Sequence, residues 1–335
     1  VRIMNTSYLG GEWYIDEMKT KANDAPGVPF SLPKHKYTFH NDMIYVTNSI
    51  DRPVEIKEVI DFVRSDDPRS KVKLADGTLA DYIPAKRIAL PVNKENALAS
   101  GIVAEKDRDK MVDTVFINIK KNSLDKNQLM ILDMLANFDW KRPLYMTQVY
   151  ILQDFGLMDY LQFDGYAYRF VPILTPVQNP WEIGRIDADY AAPLLKETFR
   201  YGNLADPRVS ASHARDAFAR VAKELLRQDR AQEAVELLDM GLEKLPPSQI
   251  RFTDSNTYPF LEAYYAASAM GVEDAADKGD ALLREYARTL IEYIEYYLRF
   301  DGVRGDMVSP IIDEKLDQLG DVYYLAVYAG RKEII

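Results

Sequence analysis

The 335-residue chain has a net charge of −10, and 47% of its residues are hydrophobic and 28% charged. This composition excludes a disordered or low-complexity chain, and the length suffices for two domains with ordinary hydrophobic cores. The acidic balance, with no dense stripe of lysine and arginine, lacks the electrostatic footprint of nucleic-acid binding, and the absence of cysteine excludes disulfides and thiolate metal sites.

The amino-terminal half alternates between the periodicities of strands and helices. The opening run VRIMNTSYL predicts a strand, and EWYIDEMKTKA predicts a short helix with Trp13 and Met18 on one side and Tyr14 as a further candidate for that side. Asp76-Gly77, between two β-prone runs, predicts a hairpin. A surface helix is predicted where apolar residues recur at i, i+3, i+4 and i+7: Ile56, Val59, Ile60 and Val63.

Further elements follow in the order expected of an α/β fold. RIALPV and DTVFINI predict strands, KNQLMILDMLANF predicts a strongly apolar helix, and RPLYMTQVY predicts the next strand. GLMDYLQFDG and YAYRFVPIL repeat the order of helix and strand. Residues 1–174 are therefore expected to form an α/β domain, a mixed sheet flanked by helices.

The composition changes after residue 174. Residues 175–209 carry four prolines and predict a mostly irregular linker, with a turn of helix near Leu194. From residue 210 to residue 335, alanine, leucine, glutamate, arginine and tyrosine recur at helical spacing. We therefore expect this last part to be an all-α domain.

The spacing of small residues predicts tetratricopeptide-like repeats in the all-α domain. Ala222, Ala234, Gly241 and Pro246 are separated by twelve, seven and five positions, as in that helix-turn-helix unit of about 34 residues. Small residues are needed where paired helices approach closely, and proline ends the second helix. Gly279 takes the close-packing place in a second, degenerate copy.

Several blocks of the chain resemble a known family: VRIMNTSYLGGEWYIDEMK, VEIKEVIDFVRSDDP, LDKNQLMILDMLANFDWKRPLYMTQ and GLMDYLQFDGYAYRFVPI. They resemble the carboxy-terminal soluble region of large polytopic membrane proteins of Bacteroidetes, a domain of unknown function in proteins similar to protein O-mannosyltransferases of the GT-C glycosyltransferase type. The resemblance implies that the catalytic carboxylates lie in luminal loops of a membrane region outside this chain. It assigns no catalytic role to any residue here.

The resemblance also implies a place in the cell. The chain is expected at the periplasmic face of the inner membrane, soluble in itself and connected to the membrane through the missing amino-terminal part only. An opening at Val1 rather than at methionine agrees with this expectation. So does the lack of any run approaching the ~18 to 20 consecutive apolar residues that a spanning helix needs.

A search for chemical motifs predicts no catalytic residue, no metal site and no cofactor. His35, His40 and His213 are too scattered for a metal site, and there is no Walker loop, nucleophile elbow or HExxH motif. The glycine pair before Glu12 could precede a phosphate-binding helix, but Glu12 would repel phosphate while favouring the helix dipole. A plain turn before an acidic first helical turn is the preferred interpretation.

Two groups of residues are candidate binding sites. Asn5, Ser7 and Trp13 would lie near the carboxyl end of the first predicted strand, where ligands of open α/β sheets bind, and could hydrogen-bond and stack on a sugar. Trp140 and Arg142 lie in the corner between a helix and a strand, where they could stack on a glycan and pair with an anionic group. The alternative roles are structural: helix capping, core packing, cover of a sheet edge, and pairing of the arginine with a helix end or a carboxylate.

Two functions are compatible with these features. In the preferred one, the chain is the extracytoplasmic region of a membrane-embedded glycosyltransferase that uses a lipid-linked sugar. It then binds acceptor protein or glycan, or a partner protein through the helical repeat, rather than catalysing transfer. In the alternative, it is a non-catalytic binding or scaffolding module of a cell-envelope assembly. We expect no nucleic-acid partner in either case.

Overall fold

The computed structural model describes residues 4–5, 8, 11–20, 26–37, 43–179, 182–200 and 212–334. The chain divides into two compact units: an α/β unit, Val1–Gln162 with Ala167–Arg185, and a helical unit, Phe163–Tyr166 with Ile186–Ile335. Mixed sheets occupy the amino-terminal half and helices the carboxy-terminal half, which confirms the predicted fold class. Among the described residues, we find no helix whose length and hydropathy together would span a bilayer.

The helices of the α/β unit are short: α1 (Glu12–Lys19), α2 (Ile56–Arg64), α3 (Lys94–Ala99), α4 (Lys126–Ala136) and α5 (Tyr150–Gln153). The strands are β1 (Met43–Val46), β2 (Val54–Glu55), β3 (Lys71–Lys73), β4 (Leu79–Ile83), β5 (Arg87–Pro91), β6 (Thr114–Asn118), β7 (Ser123–Asp125), β8 (Tyr145–Met146), β9 (Leu161–Phe163) and β10 (Tyr168–Phe170). They form small sheets in the orders β3-β4-β1-β7, β2-β5-β6 and β8-β10-β9. Pairing is mixed, since β1 runs parallel to β4 and antiparallel to β7.

The strongest sequence patterns of this half are confirmed. The stripe with the i, i+3, i+4, i+7 spacing is the buried face of α2. Gly77 has a φ of 89°, a left-handed conformation suited to the tight turn between β3 and β4, and these strands pair antiparallel. The apolar run before residue 137 is α4, which begins with a capping box formed by Asp125 and Gln128.

The helix predicted for GLMDYLQFDG is wrong, and the predictions for RPLYMTQVY and for the buried side of the first helix are correct only in part. RPLYMTQVY gives only the two-residue β8 followed by α5, and GLMDYLQFDG gives a 3-10 turn followed by β9 rather than a helix. Short apolar runs fit both periodicities, so pairing with β10 decides their structure. In α1 the buried side consists of Tyr14, Ile15 and Met18, while Trp13 is exposed. Most of the predicted first strand lies outside the described residues.

A buried carboxylate holds the loop before β1 against α4. Asp133 is fully buried, and its carboxylate accepts hydrogen bonds from the backbone N–H groups of Ser31 (2.7 Å) and Leu32 (3.0 Å). It also accepts from the hydroxyls of Ser31 (2.5 Å) and Tyr37. Burial, and then the charge of Asp133, raises the pKa of the Tyr37 hydroxyl. A carboxylate only accepts, so it suits loop N–H groups that lie outside helices and sheets.

The helical unit consists of α6 (Ala188–Pro193), which continues as a π-helical turn (Leu194–Thr198), α7 (Ser212–Arg227), α8 (Ala231–Lys244), α9 (Asp254–Ala269), α10 (Ala275–Leu298) and α11 (Asp301–Tyr328). The predicted turn of helix near Leu194 is confirmed and belongs to this longer segment. Residues 201–211 lie outside the described ranges.

Small residues permit close packing of these helices, as predicted. A Cβ atom on Gly241 would lie 2.8 Å from the Phe218 side chain and 3.1 Å from that of Phe260, and one on Gly279 would lie 3.0 Å from the Tyr265 ring. Each glycine therefore lies where alanine would force its neighbours to move. The assignment of the repeat as tetratricopeptide-like stays a prediction.

A buried arginine binds the chain at the carboxyl end of α8. Arg215 of α7 is fully buried, and its guanidinium donates to the carbonyl oxygens of Leu245 (2.7 Å) and Ile250 (2.6 Å). It also donates to Oδ1 of Asn256 (3.0 Å). Burial lowers the pKa of Arg215 to about 10, with the charge of Glu285 acting in the opposite direction. Helix ends leave carbonyl groups without intrahelical partners, and this donor-only side chain donates the hydrogen bonds that they lack.

Candidate functional site

The candidate site is a groove at one edge of the sheet β2-β5-β6. β2 and β5 are parallel, with Val54 opposite Ile88 and Glu55 opposite Ala89, so their carboxyl ends share this edge. α2 begins directly after β2, and α3 begins shortly after β5. The groove has a volume of about 610 Å³, within the range of small-molecule sites. Ligands of open α/β sheets bind at the carboxyl ends of the strands, which makes this groove the first candidate.

The groove combines mostly buried apolar residues with exposed charged ones. Its apolar residues are Ile56, Leu90, Pro91, Val92, Ala136, Phe138 and Trp140. Its polar residues are Glu55, Lys57, Asn93, Lys94, Glu95, Asp113 and Asp139. An apolar and aromatic surface with a few polar groups is typical of sites for organic ligands, and here the polar groups suit a ligand rich in hydroxyls.

Ion pairs occupy part of the charged rim. The Lys94 ammonium lies 2.7 Å from the carboxylate of Asp113. Burial opposes ionisation of Asp139, but hydrogen bonds from the backbone N–H and the ammonium of Lys141 outweigh it and lower the pKa of this carboxyl. Among the described residues, neither Glu55 nor Glu95 has a hydrogen-bond or ion-pair partner, and both side chains are exposed, which makes them candidates for contact with a ligand.

Trp140 holds the corner between α4 and β8 at the groove. Its indole N–H donates to the carbonyl oxygen of Pro91 (2.9 Å), its ring stacks on Phe170 with the centroids 5.5 Å apart, and only 1% of the residue is exposed. Its φ is 62°, a left-handed conformation that costs about 1–2 kcal/mol in a residue with a Cβ atom. Ring packing offsets this strain, so Trp140 supports the groove but presents no open ring face to a sugar.

The aromatic ring that is partly open at the groove belongs to Phe138, which sequence reasoning missed. Phe138 is half-buried, and its ring centroid lies 4.7 Å from that of Trp140. The run ANFDW contains both aromatics just after an apolar helix, and periodicity does not show which of them turns inward once the helix has ended. Glu55 and Glu95 were also missed. Glu95 follows the predicted strand RIALPV by three positions, which was a usable signal, whereas no strand was predicted before Glu55.

The first predicted group of site residues lies elsewhere in the α/β unit. Trp13 is 64% exposed on α1 and contacts Tyr14 edge-to-face, with centroids 5.3 Å apart. The backbone N–H of Asn5 donates to the Tyr14 hydroxyl (2.7 Å). Ser7 lies outside the described residues. Neither Asn5 nor Trp13 lines the groove.

Arg142 binds a loop rather than a carboxylate. Its guanidinium donates to the carbonyl oxygen of Gly27 (3.0 Å), and it does not line the groove. Of the predicted site residues that the structure describes, Trp140 alone lies in the groove lining. Nowhere in the described ranges do three or more histidine, aspartate or glutamate side chains converge as ligands for a metal ion.

Residues 1–190 match the family described as TMEM260-associated domain 2. The chain belongs to this family. All the residues that line the groove fall inside the matched range of the TMEM260-associated domain. The resemblance to protein O-mannosyltransferase-like membrane proteins is confirmed to this extent, because TMEM260 is such a protein. Comparisons with curated proteins and with solved structures give no match.

Proposed function

We propose that the chain is the periplasmic region of a membrane-embedded glycosyltransferase of the GT-C type from Bacteroidetes, and that the groove of its α/β unit binds the acceptor. The acceptor is a polypeptide segment or the glycan carried by it, and the transfer reaction takes place in the membrane region. Family membership supports the link to protein O-mannosyltransferase-like proteins. The groove at the carboxyl ends of β2 and β5 is the observation that carries the binding role.

The groove contains the groups that recognition of a sugar needs. The half-buried ring of Phe138 can lie against the C–H face of a pyranose, while the carboxylates of Glu55 and Glu95 can accept hydrogen bonds from its hydroxyls. The exposed ammonium of Lys57 can donate to ring or carbonyl oxygens. In this proposal the chain positions the acceptor, and the lipid-linked sugar and the catalytic base belong to the membrane region.

The test is an array of mannosylated and unmodified peptides probed with the full chain. We expect bound members, and we expect Glu95→Gln and Phe138→Leu each to weaken their binding about tenfold, the loss typical of one hydrogen bond to a charged group or one ring contact. Phe138→Leu keeps most of the apolar packing, and far-UV circular dichroism verifies that both variants are folded.

Trp13→Ala serves as the control because Trp13 is exposed and lies outside the groove lining. Its binding should equal that of the unaltered chain. Loss of binding in Trp13→Ala, with binding retained in the two groove variants, would place the site on α1 and contradict the proposal.

The alternative function, a scaffolding module of a cell-envelope assembly, is favoured by a different observation. α11 exposes several large apolar and aromatic side chains, among them Met307, Leu316, Tyr324 and Tyr328. Tyr324 and Tyr328 are four positions apart and therefore share one face of the helix. Contiguous exposed apolar surface of this kind marks protein interaction sites. An array without any bound glycan or peptide, together with capture of a partner protein through α11, would favour this alternative.

A further inference from the structure

One exposed face of α11 carries the residue spacing of a helix-helix contact. α11 is 28 residues long, and its buried side chains follow one face: Val308, Ile312, Val322 and Ala326. A second set, here called the α11 stripe, recurs at spacings of four, three and four positions: Leu316, Gly320, Tyr323 and Val327. Paired helices contact each other through stripes with this spacing. Leu316 is 49% exposed, and Tyr323 and Val327 are each 38% exposed, so the described chain leaves much of the stripe open.

Gly320, in the middle of the α11 stripe, has no packing role within the described part of the chain. A Cβ atom at this position meets nothing within 4 Å, whereas one at Gly241 would lie 2.8 Å from Phe218. Glycine inside a helix lowers its stability relative to alanine, so the described packing of α11 does not account for this residue. A second helix that crosses at Gly320 does, because a residue without a Cβ atom lets two backbones approach closely.

A line of exposed residues beside the α11 stripe divides into an acidic half and a tyrosine half. Asp313 and Asp317 precede Gly320, whereas Tyr324 and Tyr328 follow it, and spacings of four, seven and four positions keep them on one line of the helix. The tyrosines are 62% and 88% exposed. None of the four has a hydrogen-bond or ion-pair partner among the described residues. A carboxylate only accepts hydrogen bonds and a phenol O–H donates one, so each half of α11 offers what the other half needs.

We propose that α11 binds α11 of a second copy of this chain in antiparallel orientation, with the two-fold axis passing beside Gly320. Asp317 then meets Tyr324 of the second copy, and Asp313 meets its Tyr328, because both pairs are centred on the same point of the helix. Each carboxylate accepts a hydrogen bond from the hydroxyl opposite. A parallel pair would instead place aspartate against aspartate. The surface is thus complementary to itself, as a dimer with two-fold symmetry requires.

The side chains of the α11 stripe interdigitate in this arrangement. Along the shared axis, Val327 of one copy is followed by Leu316 of the other, then by Tyr323 of the first and Gly320 of the other, at steps of about 3 Å. Alternation of this kind fills the gaps between side chains, as knobs fill holes in paired helices. The two glycines meet at the two-fold axis, where the backbones are closest. This inference concerns α11 and does not depend on acceptor binding in the groove of the α/β unit.

The exposed area of α11 fits a weak dimer better than a membrane contact. At ~200 Å² for a whole tyrosine, the exposed parts of Tyr323, Tyr324 and Tyr328 come to roughly 380 Å² per copy. With the aliphatic side chains and the backbone at Gly320, a pair approaches the ~1,200 Å² at the lower end of specific interfaces. From residue 305 to residue 328 the helix carries five acidic residues and one lysine, a charge that the anionic surface of a bilayer repels.

The test is sedimentation equilibrium of the full chain over a range of concentrations. We expect monomers and dimers with a dissociation constant of about 10 μM. Asp317→Ala and Tyr324→Phe should each weaken the dimer about tenfold, and the double variant should weaken it no further, because both changes remove the same hydrogen bonds. The control is Glu292→Ala, which removes an exposed carboxylate from α10 and should change the dissociation constant by less than about twofold. A chain that stays monomeric up to about 1 mM, or additive effects of the two changes, overturns the proposal.

Gly320→Ala separates dimer formation from folding. The added methyl groups face each other at the two-fold axis and should weaken the dimer about tenfold. In the dissociated chain the Cβ atom meets nothing within 4 Å, and alanine has the higher helix propensity, so the monomer keeps its fold. Thermal unfolding at concentrations where the dimer is dissociated verifies this. A dissociation constant that Gly320→Ala leaves unchanged would contradict the close approach of two helices at this residue.

Introduced cysteines test the orientation, since the chain has none of its own. When Asp317→Cys and Tyr324→Cys chains are mixed and mildly oxidised, we expect a disulfide between them, because the antiparallel pair places the two positions opposite each other. Either variant alone should not form one, since its two cysteines lie ~10 Å apart along the axis, beyond the ~7 Å that a disulfide allows between Cα atoms. Equally rapid disulfide formation in Asp317→Cys alone would indicate a parallel pair and overturn the proposal.

A membrane contact is the remaining outcome. Retention of a monomeric chain on vesicles of phosphatidylserine and phosphatidylcholine, with release by Leu316→Asp, would assign α11 to a membrane surface and overturn the proposal. We expect the chain to stay in solution with these vesicles.

Discussion

The two units of the molecule hold their irregular segments with buried ions of opposite sign. In the α/β unit the carboxylate of Asp133 accepts hydrogen bonds from the N–H groups of Ser31 and Leu32. In the helical unit the guanidinium of Arg215 donates to the carbonyl oxygens of Leu245 and Ile250. Each ion is matched to the backbone group that its surroundings leave without a partner.

The difference follows from the secondary structure of each unit. A loop that runs along a helix presents N–H groups that no strand satisfies, and an acceptor-only carboxylate can bind two of them. The carboxyl end of a helix presents carbonyl oxygens, and a donor-only guanidinium can bind several of them. For Asp133 and Arg215, the sign of the buried charge matches the backbone groups that surround it.

The largest expected effect is that of Arg215→Met. The methionine keeps much of the buried volume but leaves the carbonyl oxygens of Leu245 and Ile250 without their donor and removes one of the donors to Asn256, so we expect the free energy of unfolding of the helical unit to fall by about 4 kcal/mol. Urea unfolding followed by far-UV circular dichroism measures it. The control is Arg227→Met on the same helix, an exposed arginine whose replacement should change stability by less than about 1 kcal/mol. A loss of the same size in both variants would contradict the role of Arg215.

Asp133→Asn should have a somewhat smaller effect, confined to the α/β unit. The amide removes the charge from several hydrogen bonds at once, so we expect a loss of about 3 kcal/mol. All three tryptophans precede residue 186, so their fluorescence reports on the α/β unit during urea unfolding. The exposed rim residue Asp139, replaced by asparagine, is the control. A shift of the helical transition in Asp133→Asn, with tryptophan fluorescence unaltered, would contradict the comparison.

The smallest expected effects distinguish two glycines within the helical unit. Gly241→Ala places a Cβ atom 2.8 Å from Phe218 and should destabilise the unit by about 2 kcal/mol. A Cβ atom on Gly320 of α11 meets nothing within 4 Å, so Gly320→Ala should stabilise the unit by about 1 kcal/mol through higher helix propensity. Thermal unfolding followed by circular dichroism measures both changes, and shifts of the same sign in the two variants would refute this reading of the packing.

Much of the fold could be predicted because long periodic runs determine their own structure. Periodicity predicted the apolar stripe of α2. Single residues whose type has a specific structural role predicted the turn at Gly77 and the close-packed positions Gly241 and Gly279. The two-residue strand β8 and the 3-10 turn before β9 were not predictable, because runs of this length satisfy either periodicity. Their structure depends on pairing with β10, a contact between distant parts of the chain.

The candidate site was less predictable than the fold. Sequence reasoning singled out the corner that contains Trp140, and this corner does lie at the groove. It could not show that a left-handed backbone turns the tryptophan inward and leaves Phe138 as the partly open ring. The direction of a side chain after the end of a helix depends on φ and on tertiary packing, and neither is encoded in a short motif.

The separation of Ser31 from Asp133, 102 positions along the chain, affects the order of events during translation. The loop leaves the ribosome long before the carboxylate that binds it, so its N–H groups are hydrated until α4 has emerged. Arg215 is made only 30 to 41 positions before its acceptors. A nascent chain interrupted between β1 and α4 therefore exposes an amino-terminal segment that lacks its carboxylate anchor, and chaperones or proteases would encounter it first.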